Sequence, residues 1–135
     1  MNIENILNDL HNLFSIFEEP TDKFIQLMDM AKESSSFQSD ERIEKNKING
    51  CTSQAWVIVS KNSDETYLIQ TDSDAQIVKG LLTILEKIFN NQPAKQILSI
   101  KSDEILSTIG LKGAVSSQRT NGFFSAVEKI QGLVR

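Results

Sequence analysis

Ile3, Ile6, Leu7, Leu10, Leu13, Phe14 and Phe17 recur at helical spacing, which predicts an amphipathic helix with one core-facing stripe. Glu18-Glu19-Pro20 ends it, because proline cannot continue a helix but can open the next one. Phe24, Leu27, Met28 and Ala31 mark that second helix, and so short a connection makes the two antiparallel neighbours. Residues 32–44 are polar, serine-rich and aperiodic, and read as a loop. Residues 45–49 read as a short extended segment. The runs Ala-Trp-Val-Ile-Val at 55–59 and Thr-Tyr-Leu-Ile at 66–69 are β-rich. Turn residues Lys61-Asn62-Ser63-Asp64 lie between them, which predicts an antiparallel hairpin.

Ser73-Asp74-Ala75-Gln76 has capping-box spacing, with Ser73 at the N-cap. Ile77, Val78, Leu81, Leu82, Ile84, Leu85, Ile88 and Phe89 follow as a wide stripe, predicting the central and most buried helix. Gly80 inside it costs roughly 1 kcal/mol against alanine, which close packing against a strand would explain. Pro93 opens a short helix through Leu98, and 103–109 form another that Gly110 stops as a C-cap. Phe123, Phe124, Val127, Ile130 and Leu133 make a last amphipathic helix. With no internal repeat and no dividing linker, residues 1–135 predict one α+β domain, its helices packed against one face of a small antiparallel sheet.

Composition narrows the function. A chain of 135 residues buries a core without disulfides or structural metal. The net charge is −4 and no basic block occurs, so nucleic acid and anionic membrane surfaces are disfavoured. No apolar run approaches the roughly 18–20 residues of a membrane span, and Met1-Asn2-Ile3-Glu4-Asn5 lacks the basic region of a secretory signal. The single cysteine, Cys51, excludes an intramolecular disulfide and a multi-cysteine zinc site. A lone thiol fits a reducing compartment, and the expected location is cytoplasmic.

Cys51 sits in Asn49-Gly50-Cys51-Thr52-Ser53-Gln54. A free cysteine is often a small buried hydrophobe, but none of these neighbours is a core residue. Gly50 admits backbone angles that other residues avoid, so the thiol is expected at a bend entering a strand, presented to a partner. Backbone N–H groups there would stabilise a thiolate. A cysteine hydrolase needs a base. The only histidine, His11, has Leu7 and Phe14 as helical neighbours and reads as a partly exposed helix residue. Sulfur transfer between thiols needs no water activation, only a thiolate, a sulfane sulfur and alignment.

The stretch Asn46-Lys47-Ile48-Asn49-Gly50-Cys51-Thr52-Ser53-Gln54-Ala55-Trp56 resembles the core motif of the SufE family. Asp72-Ser73-Asp74-Ala75-Gln76-Ile77-Val78-Lys79-Gly80-Leu81 is similar to its second motif, and Leu111 with Ser117-Gln118-Arg119-Thr120-Asn121-Gly122 to its third. The resemblance implies a SufE/IscU-like fold and a sulfur acceptor in iron–sulfur cluster assembly. Cys51 would take persulfide sulfur from a cysteine desulfurase of the SufS or CsdA kind, stimulate it, and pass the sulfur to a scaffold. The chain itself would hold no cofactor or metal and show no independent turnover, since the pyridoxal phosphate belongs to the desulfurase. A relay to another pathway, or a desulfurase-activating module that carries no sulfur, are the alternatives.

Gly50, Ser53, Gln54, Asp74 and Arg119 are the implied partner-binding residues beside Cys51. Asp74 reads equally as a helix N-terminal charge, and Arg119 as a solvated or structurally paired one; Trp56 reads as core. The usual leucine-proline after the second helix is missing from 34–44, and Ala55 stands where the family more often has valine.

Overall fold

A computed structural model describes residues 2–34, 37–50 and 53–135. Helix α1, Ile3–Ser15, starts where the Asn2 side chain accepts the N–H of Asn5 at 2.8 Å, satisfying one of the four orphan donors of a helix N-terminus. It buries Ile3, Leu10 and Phe14. Pro20 opens α2, Pro20–Ala31, whose own buried residues are Leu27, Met30 and Ala31. Single 3-10 turns follow at Ser39–Glu41 and Glu44–Asn46.

Strands β1, Ala55–Lys61, and β2, Thr66–Ser73, pair antiparallel from Ala55 opposite Ser73 to Lys61 opposite Tyr67. The sheet order is β1-β2-β3, the last being Gln92–Pro93 against Thr66 and Tyr67. Helix α3, Gln76–Phe89, packs against α2 and, less extensively, α1 on one side and against β2 on the other. Ile84, Leu85, Ile88 and Phe89 are fully buried in it. Short helices α4, Ala94–Ser99, and α5, Ile105–Thr108, lead to α6, Ser117–Leu133, which packs on α3 and β1. The fold is therefore α+β, with helices against a three-stranded antiparallel sheet.

Gly80 is a close-approach residue, but its neighbour is α2 and not a strand. A Cβ on Gly80 would lie 2.1 Å from the carbonyl oxygen of Leu27 and 2.6 Å from its carbon. Six residues further along, Glu86 anchors α3 to the sheet. Its carboxyl oxygen accepts the Thr71 N–H at 3.1 Å, the Thr71 hydroxyl, and the Ser34 hydroxyl at 2.9 Å. Glu86 is 4% exposed, and these bonds help offset its desolvation.

Several boundaries differ from the sequence reading, each for a tertiary reason. Ser73 does not cap α3: strand pairing extends β2 through it, and Ala75 stands at the N-cap with no side-chain bond. Residues 45 and 46 belong to a 3-10 turn, so only Lys47 and Ile48 run extended against β1. Pro93 lies in β3 and caps α4, which begins at Ala94. Leu133 is 51% exposed, and the adjacent Val134 is buried in its place. Gly110 does terminate α5, at φ 85°, with its N–H on the Ser107 carbonyl and that of Leu111 on Leu106, the paired bonds of a Schellman ending.

Because the obstacle at Gly80 is backbone, a side chain there cannot be relieved by a rotamer change. Gly80→Ala is expected to cost roughly 3 kcal/mol and to lower the melting temperature by roughly 10 °C. Thermal unfolding followed by circular dichroism measures it; a melting temperature at or above the parent's would contradict the α2–α3 contact.

Candidate functional site

The chain approaches and leaves residues 49–54 along two strands that already touch. Lys47 bridges Trp56, and the Ile48 N–H donates to the Ala55 carbonyl at 2.8 Å. Residues 49–54 therefore form a loop closed at its neck by main-chain bonding. Cys51 and Thr52 lie outside the described residues, so the expected bend at the thiol is bounded by its flanks alone.

On the first flank, Gly50 has φ 90°, a region that side chains rarely adopt. A Cβ there would also come within 2.9 Å of the Ser125 hydroxyl on α6. That hydroxyl can rotate away, so the backbone angle is the stronger reason for glycine.

On the second flank, Gln54 is gripped by the end of β2. Its N–H donates to Asp74 Oδ1 at 3.1 Å, and its carbonyl accepts the Asp74 N–H at 3.1 Å and the Ser73 hydroxyl at 2.8 Å. Ser73 Oγ in turn accepts the Ala75 N–H at 3.2 Å. The structure thus brings Gly50, Ser53, Gln54 and Asp74 together around one loop, with Ser53 half-buried and Gln54 and Asp74 exposed. The Asp74 carboxylate faces the loop's main chain, and the helix it precedes starts only at Gln76.

Arg119 is half-buried in the first turn of α6. Six residues separate it from Ser125 on that helix, which is about 9 Å of axial rise. Among the described residues its guanidinium makes no ion pair. His11 is exposed and places Nδ1 3.1 Å from the Thr108 carbonyl of α5, away from the loop. Trp56 is buried at 8% exposure. Among the described residues no group of three or more metal-ligating side chains forms, and no helix is long and apolar enough to cross a membrane.

Two residues that sequence reading missed support the loop from beneath. Asp72, 5% exposed, pairs with Arg42 at 2.6 Å and with Lys79 at 3.3 Å. Arg42 also lies over the Phe37 ring, 5.8 Å from its centroid. Burial pushes the Asp72 carboxyl up, but the hydrogen bonds from Arg42 and Lys79 outweigh it and leave it below its ordinary value. Nothing in a strand sequence marks Asp72 as buried, and one of its two partners, Arg42, is thirty positions away.

A folded-state value below the unfolded one means that the unfolded chain binds more protons. The Asp72 contribution is present above the unfolded carboxyl value of about 4 and is lost as pH falls through the lower folded value. Asp72→Asn is expected to destabilise the fold by about 1–2 kcal/mol near neutral pH. The gap to the parent should narrow below about pH 4, read by denaturant unfolding at a series of pH values; a constant gap would contradict an ionised Asp72.

Over residues 8–134 the chain matches the family described as SufE: Fe-S metabolism associated domain. It is 32% identical over 132 residues to an uncharacterized SufE-like protein of Rhizobium etli, covering 96% of this chain and 86% of that protein. It is 31% identical over 125 residues to SufE-like protein 1, chloroplastic/mitochondrial, of Arabidopsis thaliana, covering 93% of this chain and 33% of that longer protein. The solution structure of a hypothetical protein from Thermus thermophilus superposes with a TM-score of 0.78, over 96% of this chain and 93% of that one. At 16% identity that last likeness is one of fold alone. The family match runs through the cysteine loop, the β2 end that grips it and the helix behind it, and with it the chain belongs to the SufE family, a domain associated with iron–sulfur metabolism.

Proposed function

We propose that Cys51 accepts persulfide sulfur from a partner cysteine desulfurase, stimulates that enzyme by clearing it, and hands the sulfur on for iron–sulfur cluster assembly. The observation that carries the reading is the closed loop 49–54: the chain's only thiol belongs to a short segment whose two flanks are fixed by main-chain bonds. Such a loop suits alignment, which is the main demand of thiol–persulfide exchange.

In the exchange, the Cys51 thiolate attacks the terminal, sulfane sulfur of the desulfurase persulfide. A new S–S bond forms to Cys51 as the S–S bond in the desulfurase breaks. The desulfurase cysteine leaves as a thiolate and is reprotonated from solvent, replacing the proton that Cys51 gave up. Sulfane sulfur moves without net oxidation or reduction, so no electron acceptor is required. Pyridoxal phosphate does its chemistry on the desulfurase, upstream of this step. Asp74 holds the loop through Gln54, and Arg119, with no ion pair among the described residues, is one cation available to a partner surface. The site of action on this reading is cytoplasmic, a reducing compartment that keeps a lone thiol free.

Incubation with a cysteine desulfurase and free cysteine should add about 32 Da to the intact mass, reversed by a reductant. Cys51→Ser should fold and bind the desulfurase as the parent does, gain no mass, and fail to stimulate sulfide or alanine release. A serine variant that stimulates turnover as well as the parent would establish instead a module that activates without carrying sulfur.

Arg119→Ala should raise the KM for the desulfurase severalfold while shifting unfolding by no more than about 0.5 kcal/mol. Loss of cooperative unfolding in that variant would assign the residue a structural task.

A further inference from the structure

A chain of contacts joins Arg42 to the neck of the cysteine loop. Between residues 41 and 47 the chain makes one tight unit. The Asn46 N–H bonds the Ile43 carbonyl at 3.0 Å, the Lys47 N–H bonds Glu44 at 3.1 Å, and the buried Asn46 side chain returns to the Glu41 carbonyl at 2.8 Å. One end of the unit is Arg42, seated on Asp72 at 2.6 Å. The other end is Lys47, paired with Trp56. Trp56 and Asp72 are themselves opposite each other across β1 and β2. Lys47, Trp56 and Asp72 thus form one rung, about 10 Å across, and the 41–47 unit spans it from one side to the other.

Asp72 is a costly place for a charge. A buried ion pair adds little net stability over apolar packing of the same volume, and its best-attested use is to specify one arrangement. Here the arrangement specified is the direction in which the chain enters loop 49–54, since Ile48 bonds Ala55 immediately after Lys47. We infer that Arg42, held on Asp72, is a positioning residue for the cysteine loop: it fixes the direction in which the chain enters that loop at Lys47 and Ile48. The inference rests on the reading of Cys51 as the sulfur acceptor.

The test compares the full-length parent with Arg42→Gln and Arg42→Lys in two independent readouts. Amide hydrogen exchange reports the clamp itself. Arg42→Gln should speed exchange at Lys47 and Ile48 about tenfold while the α3 and α6 core amides keep the parent rate. Uniform acceleration throughout the molecule would show a general stabilising role and overturn the inference. Sulfur uptake from the desulfurase, followed by intact mass, reports the consequence. Arg42→Gln should lower the maximal uptake rate roughly fivefold or more with KM nearly unchanged. Arg42→Lys, which keeps a cation for Asp72, should recover most of it. Parent-like uptake in Arg42→Gln overturns the inference. A parent that takes up no sulfur would instead sink the acceptor reading, and the exchange data would then still decide whether Arg42 fixes the loop's neck.

Discussion

The distance between α2 and α3 is the constraint on which the other contacts depend. At Gly80 the helices are so close that the Leu27 carbonyl occupies the space of a side chain. With α3 set there, Ile84, Leu85, Ile88 and Phe89 fill the space between helix hairpin and sheet, and Glu86 reaches Thr71. Closely packed interiors transmit such a placement with little slack. The start of α3, and with it the end of β2, is therefore held in one position relative to the sheet.

That end of β2 distributes its side chains among three tasks. Thr71 points to α3 and bonds Glu86. Asp72 takes the two cations of Arg42 and Lys79. Ser73 and Asp74 hold the main chain of Gln54. Four successive residues thus connect the core, the 37–46 segment and the cysteine loop. The bonds to main chain at Gln54 do not depend on the side chain there, so the grip survives changes at that position in a way that the Arg42–Asp72 pair does not.

Much of this was legible in the sequence, and the reason is periodicity. The stripes of α1 and α3 repeat over several turns, and the β-rich runs of β1 and β2, separated by turn residues, mark a hairpin. The local signals fared worse where tertiary contacts overrode them. Ser73 has the right neighbours for a helix cap but pairs with Ala55 instead. Strand β3 spans two residues, too few for any pattern, and exists only because β2 lies beside it. Gly80 announced a close approach, but the strand expected as its neighbour is in fact α2. At the site, Cys51 and Gly50 stood out by thiol chemistry and backbone freedom, and Asp74 through the resemblance to the family's second motif. Arg42, Asp72 and Ser125 did not, since each acquires its role from a residue far along the chain.

The closed neck of loop 49–54 also limits travel. Cys51 is three residues from Ile48 and three from Gln54, both anchored. Even a fully stretched chain of that length reaches only roughly 10 Å from its anchors. Under the proposed sulfur-transfer reading, so short a tether favours engaging donor and recipient in turn over swinging cargo between two docked enzymes, as long flexible prosthetic arms do.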